Sequence, residues 1–131
     1  MTQMRVSEAA QLLGVSSDTV RRAIDAGRLP SSSDSSGRRV VAGADVAAFA
    51  QEQAHPAEVG AVGASSARNQ LRGVVTRIVS DTVMSQVDIQ AGPFRLVSLL
   101  STEAVREMGL EVGSVAIATV KATNVSVGVP A

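Results

Sequence analysis

Residues 6–30 read VSEAAQLLGVSSDTVRRAIDAGRLP. Ser7 suits an N-cap, and Glu8 then falls in the first turn, where the helix dipole favours an acid. That predicts a helix over 8–13, stopped at Gly14, which enters the left-handed conformation at no steric cost. Ser16 or Ser17 caps a second helix with Asp18 in its first turn. The second helix is expected to reach Ala26 and end at Gly27, with Pro30 beyond it. Two short helices therefore meet at a tight turn centred on Gly14 and Val15.

The spacing inside this unit is specific. Ala10 is small enough for a second helix to approach closely, Gly14 makes the turn and Val20 plugs the gap between helices. These are the intervals of a helix-turn-helix, with Leu13, Val15 and Ala23 as further buried positions. The open face of the second helix then carries Ser17, Thr19, Arg21, Arg22 and Asp25, the profile of a recognition helix. Thr19 and Arg22 are the leading candidates to touch bases or phosphates, and Asp25 is placed to orient Arg21 or Arg22. After Arg28-Leu-Pro comes a Ser-rich loop, then GRRV (37–40), then ADVAAF (44–49). This predicts a short wing with Arg38 and Arg39 at its tip, contacting the DNA backbone, and a closing helix with Phe49 inward. The four arginines are expected on one side of the domain, with the acids mostly elsewhere. Residues 4–50 resemble the winged helix-turn-helix of the MerR/excisionase group, including its small BldC-like regulators. Ala23 and Val40 stand where that group often carries aromatics, which makes the core lean. The resemblance implies binding to double-stranded DNA, and a domain this small needs a dimer on paired half-sites.

Composition sets the frame for the rest. The chain has 131 residues with 12 basic and 12 acidic side chains. A net charge of zero gives no global field toward a polyanion, so any nucleic-acid footprint is a local patch. Aromatics are 2%, which argues against single-strand binders that stack bases. There is no Cys and one His, His55, so disulfides, thiol catalysis, zinc fingers and His-based metal sites are not expected. The N-terminus lacks the apolar run of a signal peptide. The uncharged stretch 112–120 is far short of the roughly 20 apolar residues of a membrane span. The chain therefore reads as cytoplasmic, with no membrane partner. Residues 51–64 are small residues with a proline and glycines, the composition of a linker. They divide a domain over 1–50 from a second over 65–131, rich in Val, Ile and Thr as strands are.

In the second half the pattern predicts strands over 71–79, 83–90, 94–100, 115–121 and 125–129. A short helix over 102–108 ends at Gly109. The expected fold class is α+β: a small winged helix-turn-helix followed by a Greek-key β-barrel of the OB type. So small a barrel buries little surface, which favours oligomers. Ser66-Ala67-Arg68-Asn69-Gln70-Leu71-Arg72-Gly73 resembles the SARNQL-x-G opening of Mop domains, the molybdate-binding units of molbindins and of the ModE-type regulator within the TOBE group. The likeness continues through STEAV (101–105), EMGL (107–110), EVG (111–113) and VKAT (120–123).

The chemistry agrees with that resemblance. A tetrahedral oxyanion offers only acceptor oxygens and needs hydroxyls, backbone N–H groups and fixed cations. Ser66, the amides at Ala67 and Arg68, the Arg68 guanidinium, Ser101 at the N-terminus of the short helix, Lys121 and Ala122 are the candidate ligands of molybdate or tungstate. In the family such elements meet across subunit interfaces through exchanged strands, in a hexamer or a dimer. Ala104 and Ala122 replace family serines, which removes two hydroxyls. No carboxylate pair, Ser/His/Asp set or Gly-rich phosphate loop suggests an enzyme. The combination implies an oxyanion-responsive transcriptional regulator. The alternative is a cytoplasmic oxyanion store whose N-terminal domain is an interaction module.

Overall fold

The computed structural model describes residues 2–60 and 63–131; Met1 and residues 61–62 of the expected linker lie outside the described residues. The chain divides into two compact units, Met1–His55 and Pro56–Ala131.

The first unit runs β1 (Gln3–Arg5), α1 (Val6–Leu13), α2 (Ser17–Asp25), β2 (Ser32–Ser33), β3 (Arg39–Ala42) and α3 (Gly43–Gln53). Its antiparallel sheet has the order β1-β3-β2. Strand β1 was not anticipated, and it changes the start of α1. Pairing of residues 3–5 with 40–42 delivers the chain directly into the helix. The helix therefore opens at Val6, with Arg5 as an N-cap that makes no side-chain bond, and Ser7 lies inside it. Tertiary pairing here replaces the cap expected from local sequence. The turn follows expectation: Gly14 adopts φ 70° and Gly27 φ 75°. Ser16, the true cap of α2, accepts the Thr19 N–H at 3.1 Å. Ala10, Val20 and Ala23 are buried with Val6, Ala9, Leu29, Val41, Val46 and Phe49, and Leu13 packs at the edge of this core. Val15 is 37% exposed, because the turn carries it out of the helix interface. Helix α3 continues to Gln53, three residues into the stretch assigned to the linker.

The second unit contains β4 (Asn69–Ser80), β5 (Met84–Ala91), β6 (Phe94–Ser101), α4 (Thr102–Glu107), β7 (Val115–Val120) and a 3-10 turn at Ala122–Asn124. One antiparallel sheet has the order β6-β5-β4-β7. Its register slips between Val75 and Arg77, a bulge that curls the long strand β4. The core holds Val75, Val87, Ile89 and Val105, with Ile78, Leu100, Leu110, Ala116 and Ala118 against it. Helix α4 is tied on by hydroxyls: Thr102 Oγ1 donates to the Asp81 carbonyl at 2.9 Å and lies 2.8 Å from Ser85 Oγ, itself 2.6 Å from Ser80 Oγ.

One expected strand does not form. Residues 125–129 alternate Val with small residues, yet 125–131 pair with nothing and are exposed. Four strands therefore make an open half-barrel instead of five closing a barrel. A groove of about 510 Å³ opens on its concave side, lined by Ile89, Leu96, Leu100, Leu110, Ala116 and Ala118 among others. Phe94 and Leu99 on the edge strand β6 are 66% and 71% exposed. No described helix is long and apolar enough to cross a membrane.

Three carboxylates are held below their ordinary range. The Ser36 hydroxyl and the Arg38 N–H lower Asp34. The N–H groups of Met84 and Val83 lower Asp81. The Gln86 amide and the Arg95 guanidinium lower Asp88, whose Oδ2 takes Arg95 Nη2 at 2.7 Å. A pKa depressed on folding gives stability that is present above the unfolded value and lost as pH falls through the folded one. Thermal unfolding midpoints should therefore be level down to about pH 5 and fall below about pH 4. The fall should be shallower in Asp88→Asn, measured by circular dichroism.

Candidate functional site

In the first unit the candidate DNA-facing side chains gather on α2 and the wing, with a charge pattern the sequence concealed. Asp18 and Asp25 share the exposed face of α2 with Arg21 and Arg22. Arg21 Nη1 lies 3.3 Å from Asp18 Oδ1. Asp25 does not orient Arg21 or Arg22; its Oδ1 lies 3.7 Å from Arg39 Nη1 on the wing. Two of the acids, Asp18 and Asp25, therefore sit among the arginines. Among the described residues, Arg22 and Arg38 have no ion-pair partner. Ser17 and Thr19 are half-buried, and Thr19 Oγ1 sits 2.9 Å from Ser16 Oγ within the cap. The wing is built by Asp34. Its Oδ1 accepts N–H bonds from Ser36 and Arg38, both at 2.9 Å, and the Ser36 hydroxyl at 2.7 Å. That loop presents Arg38 just before β3, with Arg39 as the first residue of the strand.

In the second unit, register decides which candidates meet. The β4–β7 ladder ends on the pair Asn69 and Val120. Ser66, Ala67 and Arg68 precede that rung, and Lys121 and Ala122 follow it. Two segments more than fifty residues apart therefore share one end of the sheet within a single chain. Ser66, Arg68, Lys121 and Ala122 are exposed and Ala67 is half-buried. In this state the Ala67 N–H donates to Ser65 Oγ at 3.1 Å.

Ser101 is elsewhere. Ser80 pairs with Ser85, and Met84 with Ser101, so Ser101 lies at the far end of β4. Strand β4 has 12 residues, so at about 3.3 Å per residue roughly 35 Å of strand separates the two sets. Ser101 Oγ accepts the Ala104 N–H at 3.1 Å as the cap of α4, which leaves the hydroxyl hydrogen as the donor it can offer an anion. One chain holds two polar half-sites at opposite ends of its sheet.

Asn69 is the residue that sequence reasoning passed over. It stood in the SARN motif without a role, yet its side-chain Nδ2 donates to the Val120 carbonyl at 3.1 Å. The uncommon Asn at a strand start was the available signal.

Fold and site together define a helix-turn-helix module followed by a small curled β-domain with a cationic, hydroxyl-bearing end. Residues 65–127 match the TOBE domain family, and residues 4–54 match a helix-turn-helix domain family. A probable molybdenum-pterin-binding protein of Haemophilus influenzae is 48% identical over 65 residues, covering 49% of this chain and 94% of its own length. Molybdenum-pterin-binding protein 2 of Clostridium pasteurianum is 36% identical over 63 residues, covering 47% and 93%. The structure of the cytoplasmic molybdate-binding protein ModG with molybdate bound superposes with a TM-score of 0.50 at 40% identity, over 51% of this chain and 48% of that one. The chain belongs to the TOBE-domain family through its second unit and carries an excisionase-like helix-turn-helix ahead of it.

Proposed function

We propose that this protein is a molybdate- or tungstate-responsive DNA-binding regulator that binds its oxyanion between TOBE domains of different copies. The observation that carries the reading is the split of the candidate ligands. Ser66, Ala67, Arg68, Lys121 and Ala122 converge at one end of the sheet, and Ser101 stands at the other. A site using both sets needs a second chain, so ligand binding and association are coupled. The unpaired segment 125–131, with Val125, Val127 and Val129 in strand alternation, suits an edge strand of a partner's open half-barrel. The named relatives and the molybdate-bound structure support the choice of anion. By linkage, an oxyanion that changes DNA affinity has its own affinity changed by the same factor.

The DNA arm of this reading rests on α2 and the wing. Arg22 and Arg38 have no carboxylate to give up on meeting DNA, whereas Arg21 and Arg39 do. Fluorescence anisotropy on duplexes selected from the host genome, with and without molybdate, tests it. Arg22→Ala should cost about 1–3 kcal/mol on the selected site. Arg38→Ala should weaken all duplexes alike and lower the log–log salt slope by about 0.9. Arg21→Ala and Arg39→Ala should lose less. No duplex preference under any oxyanion condition would sink the regulator. It would leave an oxyanion store, a reading favoured by relatives that consist almost wholly of the domain matched here.

A further inference from the structure

We infer that Asn69 is a positioning residue of the oxyanion site, one that aims the Lys121–Ala122 segment at Ser66–Arg68. The inference rests on the oxyanion reading of the second unit.

Asn69 and Val120 form the last rung between β4 and β7. Strand ends open easily, because no further ladder bond holds them. Here the Asn69 carboxamide supplies one, donating Nδ2–H to the Val120 carbonyl at 3.1 Å in a partly buried position. That carbonyl and the Lys121 N–H belong to one planar peptide unit and point in opposite directions. Fixing the oxygen therefore fixes the direction of the Lys121 N–H and the departure of its side chain.

The turn beyond depends on the same plane. Lys121, at φ −63° and ψ 142°, caps the 3-10 turn Ala122–Asn124. The turn is closed by the Asn124 N–H on the Lys121 carbonyl at 2.9 Å and the Val125 N–H on the Ala122 carbonyl at 3.3 Å. The first N–H of such a turn has no partner inside it, so Ala122 keeps a donor for an external acceptor. A neutral carboxamide adds no charge to the site. It also leaves the guanidinium of Arg68, the preceding residue, free for the anion. Asn69 thus acts through geometry, by holding two donor segments from distant parts of the chain at one distance.

The test is isothermal titration of molybdate into the full chain, comparing wild type with Asn69→Leu and Asn69→Gln. Leu keeps the approximate size and removes the donor; Gln restores a donor on a longer arm. Light-scattering mass, the unfolding midpoint and amide hydrogen exchange at the Asn69–Val120 rung are read alongside. The expected result is molybdate affinity about 10-fold lower in Asn69→Leu, partly recovered in Asn69→Gln. Exchange at the Asn69–Val120 rung should be faster in the Leu variant without ligand, with mass and midpoint unchanged. Wild-type affinity in Asn69→Leu overturns the role of Asn69 alone. Loss of mass or midpoint in Asn69→Leu, with no recovery by Gln, overturns it in favour of a purely structural contact. Absence of molybdate binding in the wild type overturns the oxyanion reading and this inference with it.

Discussion

Arg68→Ala is expected to weaken molybdate binding by about 30-fold or more and to abolish any molybdate-dependent rise in light-scattering mass. Arg68 stands one residue before β4, exposed, and next to the rung that brings in Lys121. A tetrahedral dianion presents acceptors only, and the guanidinium offers several donors with a charge that does not titrate. Its removal leaves Lys121 as the one candidate cation of that half-site. The loss of a charge-assisted contact at an interface is typically about 2–5 kcal/mol, which sets the fold-change. The placement of Ser101 at the other end of the sheet allows a sharper test. Arg68→Ala and Ser101→Ala chains should each bind poorly alone. If one copy supplies Arg68 and another Ser101, a hetero-dimer of the two variants contains one intact site. An equimolar mixture, unfolded and refolded together, should then regain about a quarter of the sites, as random pairing in a two-fold assembly requires. No recovery would mean that each site is built within one chain, and the coupling of binding to association would fall.

What the sequence could reveal follows the range of the interactions. The helix-turn-helix was legible because Ala10, Gly14, Val20 and Ala23 act within one short unit, where spacing alone says which side chains face each other. The strands β4 to β7 were legible from alternation and from glycine punctuation such as Gly92. Alternation names a strand but not its partner, which is why 125–129 read as a fifth strand that the single chain does not pair. Pairings between elements were out of reach. Asp25 was assigned to its helical neighbours, yet it meets Arg39 across the fold. Strand β1 is three residues long, too short for any period to show, and it moved the start of α1. The sequence offers the candidate oxyanion residues only as a set of chemical types; their division into two ends of the sheet depends on the β4–β7 and β5–β6 registers. Only the fold contains that information, and the same registers gave Asn69 a partner 51 residues away.

Gly73→Val should unfold the second unit at ordinary temperature or lower its midpoint by well over 10 °C, while the first unit stays folded. Glycine is needed here for space. Its backbone is not in the left-handed region, yet an added Cβ would stand 2.5 Å from the Gln90 carbonyl oxygen and 2.8 Å from Ile89 Cγ2. The first obstacle is backbone of β5, so no rotamer change relieves it. Gly73 also pairs with Ala116 on β7, which stops β4 from shifting away without breaking that ladder. Overpacking of this kind costs about 1–3 kcal/mol and more when backbone must move. A domain of this size has only a few kcal/mol to lose, and each is worth about 4–8 °C. The core is also small, with four buried apolar side chains as its centre. Gly73→Ala should show a smaller fall of the same sign. Amide exchange resolved by segment separates the outcomes: loss of protection over 69–120 with residues 6–49 unchanged is the expected pattern. A wild-type midpoint for Gly73→Val would mean that β4 and β5 are not held as closely as the structure has them. Because ligand and partner bind the folded domain only, molybdate and high protein concentration should raise the midpoint of Gly73→Ala. A rise with protein concentration would show that the second unit owes part of its stability to association, and a rise with molybdate that it binds the anion when folded.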